Sequence, residues 1–383
     1  KWSRHVPDYL QRFSAEYQYI SILKNAAKHL IKHYENVKTW LDFLIANYKC
    51  HYALGSWYKQ LAHIQSHYMK DNEAAAQTII EALEFNKKEN LFNLVQIYDL
   101  STIAAKIRTT KTFKLSPLFC DELALLAEEP INSDKFSKKA ITCHTDRSGK
   151  PGKRTYAFID ENNEENFGSV EMIVLHHYRN EENYNGIHCE GSLLVLLFTL
   201  FFWDIIYIYY VPNTFISKLQ HAPLDMYSES FYKNRRDVIE ERLKDIAGNW
   251  TDEILEKNLK NNWDIHSHEE SITKFNCVTE FKDLLKIFKC IDRKILSLIF
   301  ERLVINYKRF RSGLPDLFLW KTETSESKFV EVKGENDKLS LTQKIWIQYL
   351  TDIGANVEVC HVSGVGGRKI KSFKAKVAET DIG

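Results

Sequence analysis

The chain has 383 residues, 27% of them charged, and its 52 Lys and Arg stand against 51 Asp and Glu for a net charge of +1. That balance excludes a uniformly basic nucleic-acid coat, so any DNA contact must come from local patches. The length points to two or three domains, and the odd, scattered set of cysteines (50, 120, 143, 189, 277, 290 and 360), with no Cys-x-x-Cys pair, excludes a disulfide frame or zinc site and reads as free thiols.

From Tyr17 to about Gln96 the apolar residues recur at three and four, as at Leu23, Ala27, Leu30 and Ile31, and again at Trp40, Phe43 and Leu44. Leu61-Ala62 followed by Ala74 has the spacing of a tetratricopeptide repeat, although Gln65 and Thr78 fall where that repeat prefers aromatics. Residues 1–132 are therefore expected to be an all-α, TPR-like helical region, kinked or ended at Ser116-Pro117. The polar, basic stretch 133–155 is expected to be a linker or loop, its Arg147, Lys150, Lys153 and Arg154 solvated. The opening at Lys1, inside sequence already patterned as structure, is what a piece of a longer protein would show, and no targeting segment is visible.

Beyond 156 the elements mix. Tyr156 to Asp160 reads as a short strand and Val170 to Tyr178 as a helix leading into a turn at Gly186. Leu193 to Val211 is long enough to span a bilayer, but Asp204 lies inside it, at an insertion cost of roughly 2.5–3.5 kcal/mol; with no basic flank, it is expected to be a buried helix ending at Pro212 and to contact no membrane. Phe231 to Ala247 and Ser271 to Asn306 read as further helices. His266-Ser-His268 lacks the partners a zinc site needs and reads as a solvated segment. No Walker loop or dinucleotide fingerprint points to ATP or NAD.

Pro315 to Trp320 and Lys328 to Lys333 form a hairpin pattern around polar Thr322 to Ser325. A turn centred between Glu323 and Thr324 places Phe318 opposite Phe329, Trp320 opposite Ser327, and Asp316 opposite Glu331, with Cβ atoms about 4.5–5.5 Å apart. Lys333 then projects from the same face as Glu331. Two carboxylates so close repel unless a cation sits between them; they suit a hard, oxygen-preferring ion such as Mg²⁺ or Mn²⁺. An adjacent ammonium can orient water and stabilise charge on a phosphoryl oxygen. A helix over Ser340 to Asp352, a Gly354 cap and a strand over Asn356 to Val362 follow.

Pro315-Asp316 with Glu331-Val-Lys333 resembles the PD-(D/E)xK nucleases. Gly313-Leu-Pro-Asp316, Val330-Glu-Val-Lys-Gly334, Leu339-Ser340, Gln343, Trp346 and Val357 to Val362 resemble a VRR-NUC domain. Together with Gly186-Ile-His-Cys-Glu-Gly-Ser192 and Trp203-Asp-Ile-Ile206 they are similar to the Fanconi-associated nucleases, over roughly the C-terminal 220 residues and weakly before about residue 160. The resemblance implies an α/β, restriction-endonuclease-like nuclease domain over 156–383, with a helical insertion at about 212–300 and a VRR-NUC core at about 301–365.

It also implies a site. Glu190, Asp316 and Glu331, with the Val332 carbonyl, would hold one or two Mg²⁺ or Mn²⁺ ions; Lys333 would orient water, and Gln343 would reach the scissile phosphate or the attacking water. On position alone Glu190 reads as a helix-start acid favoured by the macrodipole, and it is the resemblance that makes it the third metal-site carboxylate. His188 and His361 flank these blocks and suit packing or supporting hydrogen bonds, and Trp346 suits the core. Tyr307-Lys-Arg-Phe-Arg311 puts Lys308, Arg309 and Arg311 before the catalytic strand, basic residues interleaved with aromatics that suit a DNA groove. Arg235 and Arg236 are further DNA candidates with an alternative use in helix salt bridges, and the basic tail at Arg368, Lys369, Lys371, Lys374 and Lys376 is one more surface for phosphate. The expected activity is a metal-dependent, structure-selective DNA phosphodiesterase: a 5′-flap endonuclease and 5′–3′ exonuclease of interstrand crosslink repair, in the nucleus, working on branched or flapped DNA with Fanconi-pathway proteins. A Holliday-junction resolvase and a catalytically silent repair scaffold are the competing readings.

Overall fold

The computed structural model describes residues 6–48, 52–110, 115–145, 156–159 and 165–365. Its chain divides into two compact units, Lys1–Asn132 and Ser133–Gly383. The basic residues singled out at 147–154 and in the tail at 368–376, and Cys50, lie outside the described residues.

The first unit is all-α. Helices Ala15–His29, Tyr34–Asn47, Leu54–His63, Asn72–Glu89, Leu94–Thr109 and Pro117–Leu126 pack around a core that includes Leu41, Trp57, Ile79, Leu100 and Leu123. The two residues that broke the repeat pattern pair inside it: Thr78 donates its hydroxyl to Gln65 Oε1 at 2.8 Å, both side chains buried. One hydrogen bond between them satisfies groups that would otherwise be stranded in the core.

The second unit is built on a seven-stranded sheet in the order β3-β2-β1-β7-β6-β5-β4. Its strands are β1 Lys138–Thr145, β2 Tyr156–Ile159, β3 Glu165–Gly168, β4 Asn185–His188, β5 Leu317–Lys321, β6 Glu326–Lys333 and β7 Val357–Val365. β7 runs parallel to both β1 and β6, and every other neighbour is antiparallel. One face, with Val330 and Val332 from β6, packs on Ile173, Val174 and Tyr178 of the helix Val170–Glu182. Because side chains alternate along a strand, Phe329, Glu331 and Lys333 occupy the opposite face.

Three expectations are corrected. The stretch expected to be a linker at 133–155 supplies β1, placing the sheet's start before residue 156. β1 buries Ile141 and half-buries Lys139 and Cys143 on one face, a short alternation hidden among polar residues, and its ladder partner β7 lies more than two hundred residues away in sequence. The apolar helix covers Ser192–Phe201, buried from Leu193 onward, and gives way to a π-turn at Asp204–Ile208 well before Pro212. Exposed Asp204 pairs with Arg242 at 2.8 Å, but Ile205 and Ile206 beyond it are still buried, and the apolar run surfaces only at Ile208. No helix among the described residues is long and apolar enough to cross a membrane. The helix expected over Phe231 to Ala247 breaks at Arg235 into Ser230–Asn234 and Arg236–Lys244.

His266 is also not solvated as expected: its ring stacks on Trp203 with centroids 4.0 Å apart. Among the described residues all cysteines are free thiols.

Candidate active site

The hairpin has the register that its turn implies, with Leu317 opposite Val330, Phe318 opposite Phe329 and Trp320 opposite Ser327. Asp316 stands one residue before β5 and fastens itself to the neighbouring strand: its Oδ2 accepts the backbone N–H of Val332 at 2.8 Å. Its carbonyl accepts two more, from Cys189 at 2.9 Å and Glu190 at 3.0 Å. Three elements distant in sequence therefore meet at one aspartate.

Two glycines make that meeting tight. Gly191, at φ +82°, caps the apolar helix, and a Cβ there would lie 2.6 Å from Leu314. Gly313, at φ +85°, would likewise place a Cβ 2.6 Å from Thr342. Both positions need a left-handed backbone and the space that glycine leaves, and together they bracket Pro315-Asp316. Glu190 itself takes φ +46°. It stands in the turn outside the helix rather than in its first turn, and its exposed carboxylate is turned onto His188 Nε2 at 3.3 Å.

Glu331 is fully buried. Its Oε1 accepts from Lys333 Nζ at 2.8 Å and from Gln343 Nε2, while Oε2 is buried without any hydrogen-bond partner. Burial, then the repulsion of Asp316, raises the Glu331 carboxyl from 4.5 to about 7. Burial likewise raises the Asp316 carboxyl, against the opposing pull of the Val332 N–H and the Lys333 ammonium. A carboxylate oxygen left bare in the interior costs free energy unless a donor or a cation meets it. The donor set therefore fits a divalent cation: one orphaned buried oxygen, a second acid pressed against it, and a third, Glu190, tethered through its backbone to Asp316. No three acid, histidine or cysteine side chains converge among the described residues, because the Glu190 carboxylate faces His188.

Gln343 does two things. Its Oε1 accepts the Ser340 N–H at 2.9 Å, closing a capping box on the helix Leu341–Asp352, and its Nε2 holds Glu331. Sequence reasoning missed Glu171, whose charge acts on Asp316 from the first turn of the Val170–Glu182 helix. An acid at a helix start is common for the macrodipole alone, so nothing in the sequence marks it.

The basic segment forms the short helix Tyr307–Phe310, with Tyr307 buried and Lys308 and Arg311 exposed. Arg311 lies 5.6 Å from the Tyr227 ring, and buried Trp346 holds the segment by donating to the Ser312 carbonyl at 3.1 Å. Arg235 is corrected: its side chain is fully buried, pairs with Asp225 at 2.6 Å and donates to the Ile205 carbonyl at 3.0 Å, so it cannot meet DNA. Arg236 is exposed and paired with Glu240 one turn along its own helix.

Residues 251–364 match the VRR-NUC domain. Fanconi-associated nuclease 1 of Danio rerio is 30% identical over 372 residues, covering 95% of this chain and 37% of that protein. The Caenorhabditis elegans homolog is 32% identical over 349 residues, covering 85% of this chain and 37% of that protein. The crystal structure of paFAN1 bound to 2-nucleotide 5′-flap DNA with a gap shares the fold at a TM-score of 0.55 and 19% identity, over 81% of this chain and 55% of that one. The likeness thus reaches into the helical region, where no motif shows it, and the chain spans little more than a third of the length of these curated relatives. A VRR-NUC domain in its C-terminal part, and homology across most of its length, place the chain among the relatives of Fanconi-associated nuclease 1.

Proposed function

We propose that the protein is a metal-dependent, structure-selective DNA nuclease that hydrolyses phosphodiester bonds at 5′ flaps and 5′ ends. The observation that carries this reading is the bare, buried Oε2 of Glu331 beside Asp316, with Lys333 on the same carboxylate. Glu190, Asp316, Glu331 and the Val332 carbonyl would hold Mg²⁺ or Mn²⁺, which, when bound, supplies Lewis-acid stabilisation of the phosphoryl oxygens and lowers the pKa of water. Lys333, fixed by Glu331, presents its ammonium to the attacking water and to the charge that grows on the phosphate. Gln343 keeps Glu331 aimed. Lys308 and Arg311 supply phosphate contacts. The flap substrate is supported by the relatives' homology and by the DNA in the neighbouring crystal structure. A place in crosslink repair, in the nucleus and alongside Fanconi-pathway proteins, belongs to the same proposal.

The test is an end-labelled 5′-flap duplex incubated with protein and Mn²⁺, beside EDTA and Lys333→Ala controls. Cleavage by the wild type and in neither control is expected; equal cleavage by the variant would remove Lys333 from the chemistry.

A further inference from the structure

The apolar run that surfaces at Ile208 returns to the core by Ala222, and what lies between, pinned by buried Val211 and Thr214, is built unlike an ordinary surface loop. Leu219 is 94% exposed, Tyr210 81%, Ile208 71% and Ile216 66%. Scattered apolar residues at a surface need no explanation, but so dense a run of exposed large ones along a single loop marks an interaction site. These side chains are also held on a fixed frame. At the feet of the loop, one fully buried guanidinium, Arg235, bonds both the Ile205 carbonyl and Asp225 Oδ2. In its middle, the Gln220 amide accepts from the Ile216 and Ser217 N–H groups and donates to the Thr214 and Ala222 carbonyls. Tyr207 ties the base down, donating to the His221 carbonyl at 3.0 Å and accepting the Ile272 N–H at 2.9 Å. A rigid frame beneath exposed aromatic and aliphatic groups is pre-organisation for a ligand.

The surroundings select the ligand. No acid stands between Asp204 and Asp225, while Lys218 and His221 lie within the span. The loop is linked to the basic segment through two contacts: His221 Nε2 lies 3.4 Å from the Tyr227 hydroxyl, and Arg311 lies over the Tyr227 ring. Arg311 is five residues before Asp316. An apolar loop that carries no acid of its own, with Glu269 acting on Tyr207 at its base, and that continues into cationic side chains leading to the phosphate chemistry matches a nucleic acid whose bases are uncovered. Aromatic side chains stack on any base, and aliphatic ones wedge between base steps.

We propose that the loop Ile208–Leu219 is a base-stacking platform that receives unpaired bases at the branch or frayed end of the DNA. This deepens the nuclease reading and rests on its DNA substrate. Tyr210 and Leu219 contact bases and discriminate flapped from fully paired DNA; they take no part in hydrolysis.

The experiment titrates a 5′-flap duplex and a blunt duplex of equal length by fluorescence anisotropy in EDTA, with 2-aminopurine at the first unpaired position. Wild type is compared with the double variant Tyr210→Ser/Leu219→Ser and with Tyr210→Phe, and melting curves check each fold. The double variant is expected to lose the wild-type quench and about tenfold of the preference for the flap, and Tyr210→Phe to retain both. An unchanged preference and quench in the double variant overturn the platform. If that variant instead alters the mass in solution without altering DNA preference, the surface joins protein chains and the proposal falls as well. Binding with the expected quench but no Mn²⁺-dependent cleavage by wild type would overturn the nuclease reading while upholding the platform.

Discussion

At the scale of single residues, the site turns on where Glu331 keeps its proton. Its carboxyl is raised to about 7, so the folded protein favours the protonated form. Without a cation, the stability this group lends is present below the usual carboxylate range and is lost as pH rises through about 7. Cation binding runs the other way, because the ion competes with that proton. Calorimetric Mn²⁺ affinity is therefore expected to climb by up to about tenfold per pH unit below about 7 and to level off above it. Asp316→Ala should abolish the binding, and a flat pH profile would exclude Glu331 as a ligand. Lys333→Met should leave metal bound while lowering the cleavage rate by at least ~10²-fold, in the range of a lost electrostatic stabiliser; single-turnover rates would check it.

The elements hold this site by local devices whose costs differ. The capping box of Ser340 and Gln343 fixes the start of the last helix, and Ser340→Ala should cost about 1 kcal/mol, read by denaturant unfolding. Gln343→Ala removes the reciprocal half of that box, the bond from the Ser340 N–H, and also the hand on Glu331. It should therefore depress cleavage more than Ser340→Ala does at equal loss of stability, and equal activity of the two variants would reduce Gln343 to a cap. Arg235→Ala strands Asp225 in the core, where breaking a buried pair costs roughly 3–5 kcal/mol. Thermal unfolding should show this as a large loss, whereas Arg236→Ala, at an exposed helical pair, should leave the melting temperature nearly unchanged. The hairpin, the last helix and its Gly354 stop were legible because alternation, capping residues and turn chemistry are local signals. β1 was not, since Ile141 and Cys143 make too short a pattern and the strand is completed by β7.

Across the whole molecule, each unit has its own buried core, and Glu190, Asp316, Glu331 and Lys333 all belong to the second. A fragment of residues 133–383 is therefore expected to fold alone and bind Mn²⁺ with the affinity of the full chain; circular dichroism and calorimetry on the fragment decide it. The sequence by itself determined the helical character of the first unit, the hairpin register and the types of side chain at the site, because periodicity and turn residues act over a few positions. Only the tertiary structure decided which arginine is sealed inside, which acid stands beside Asp316, and that Glu331 keeps one oxygen bare. Burial and electrostatic repulsion are set by neighbours distant in the chain, and no local pattern in the sequence records them.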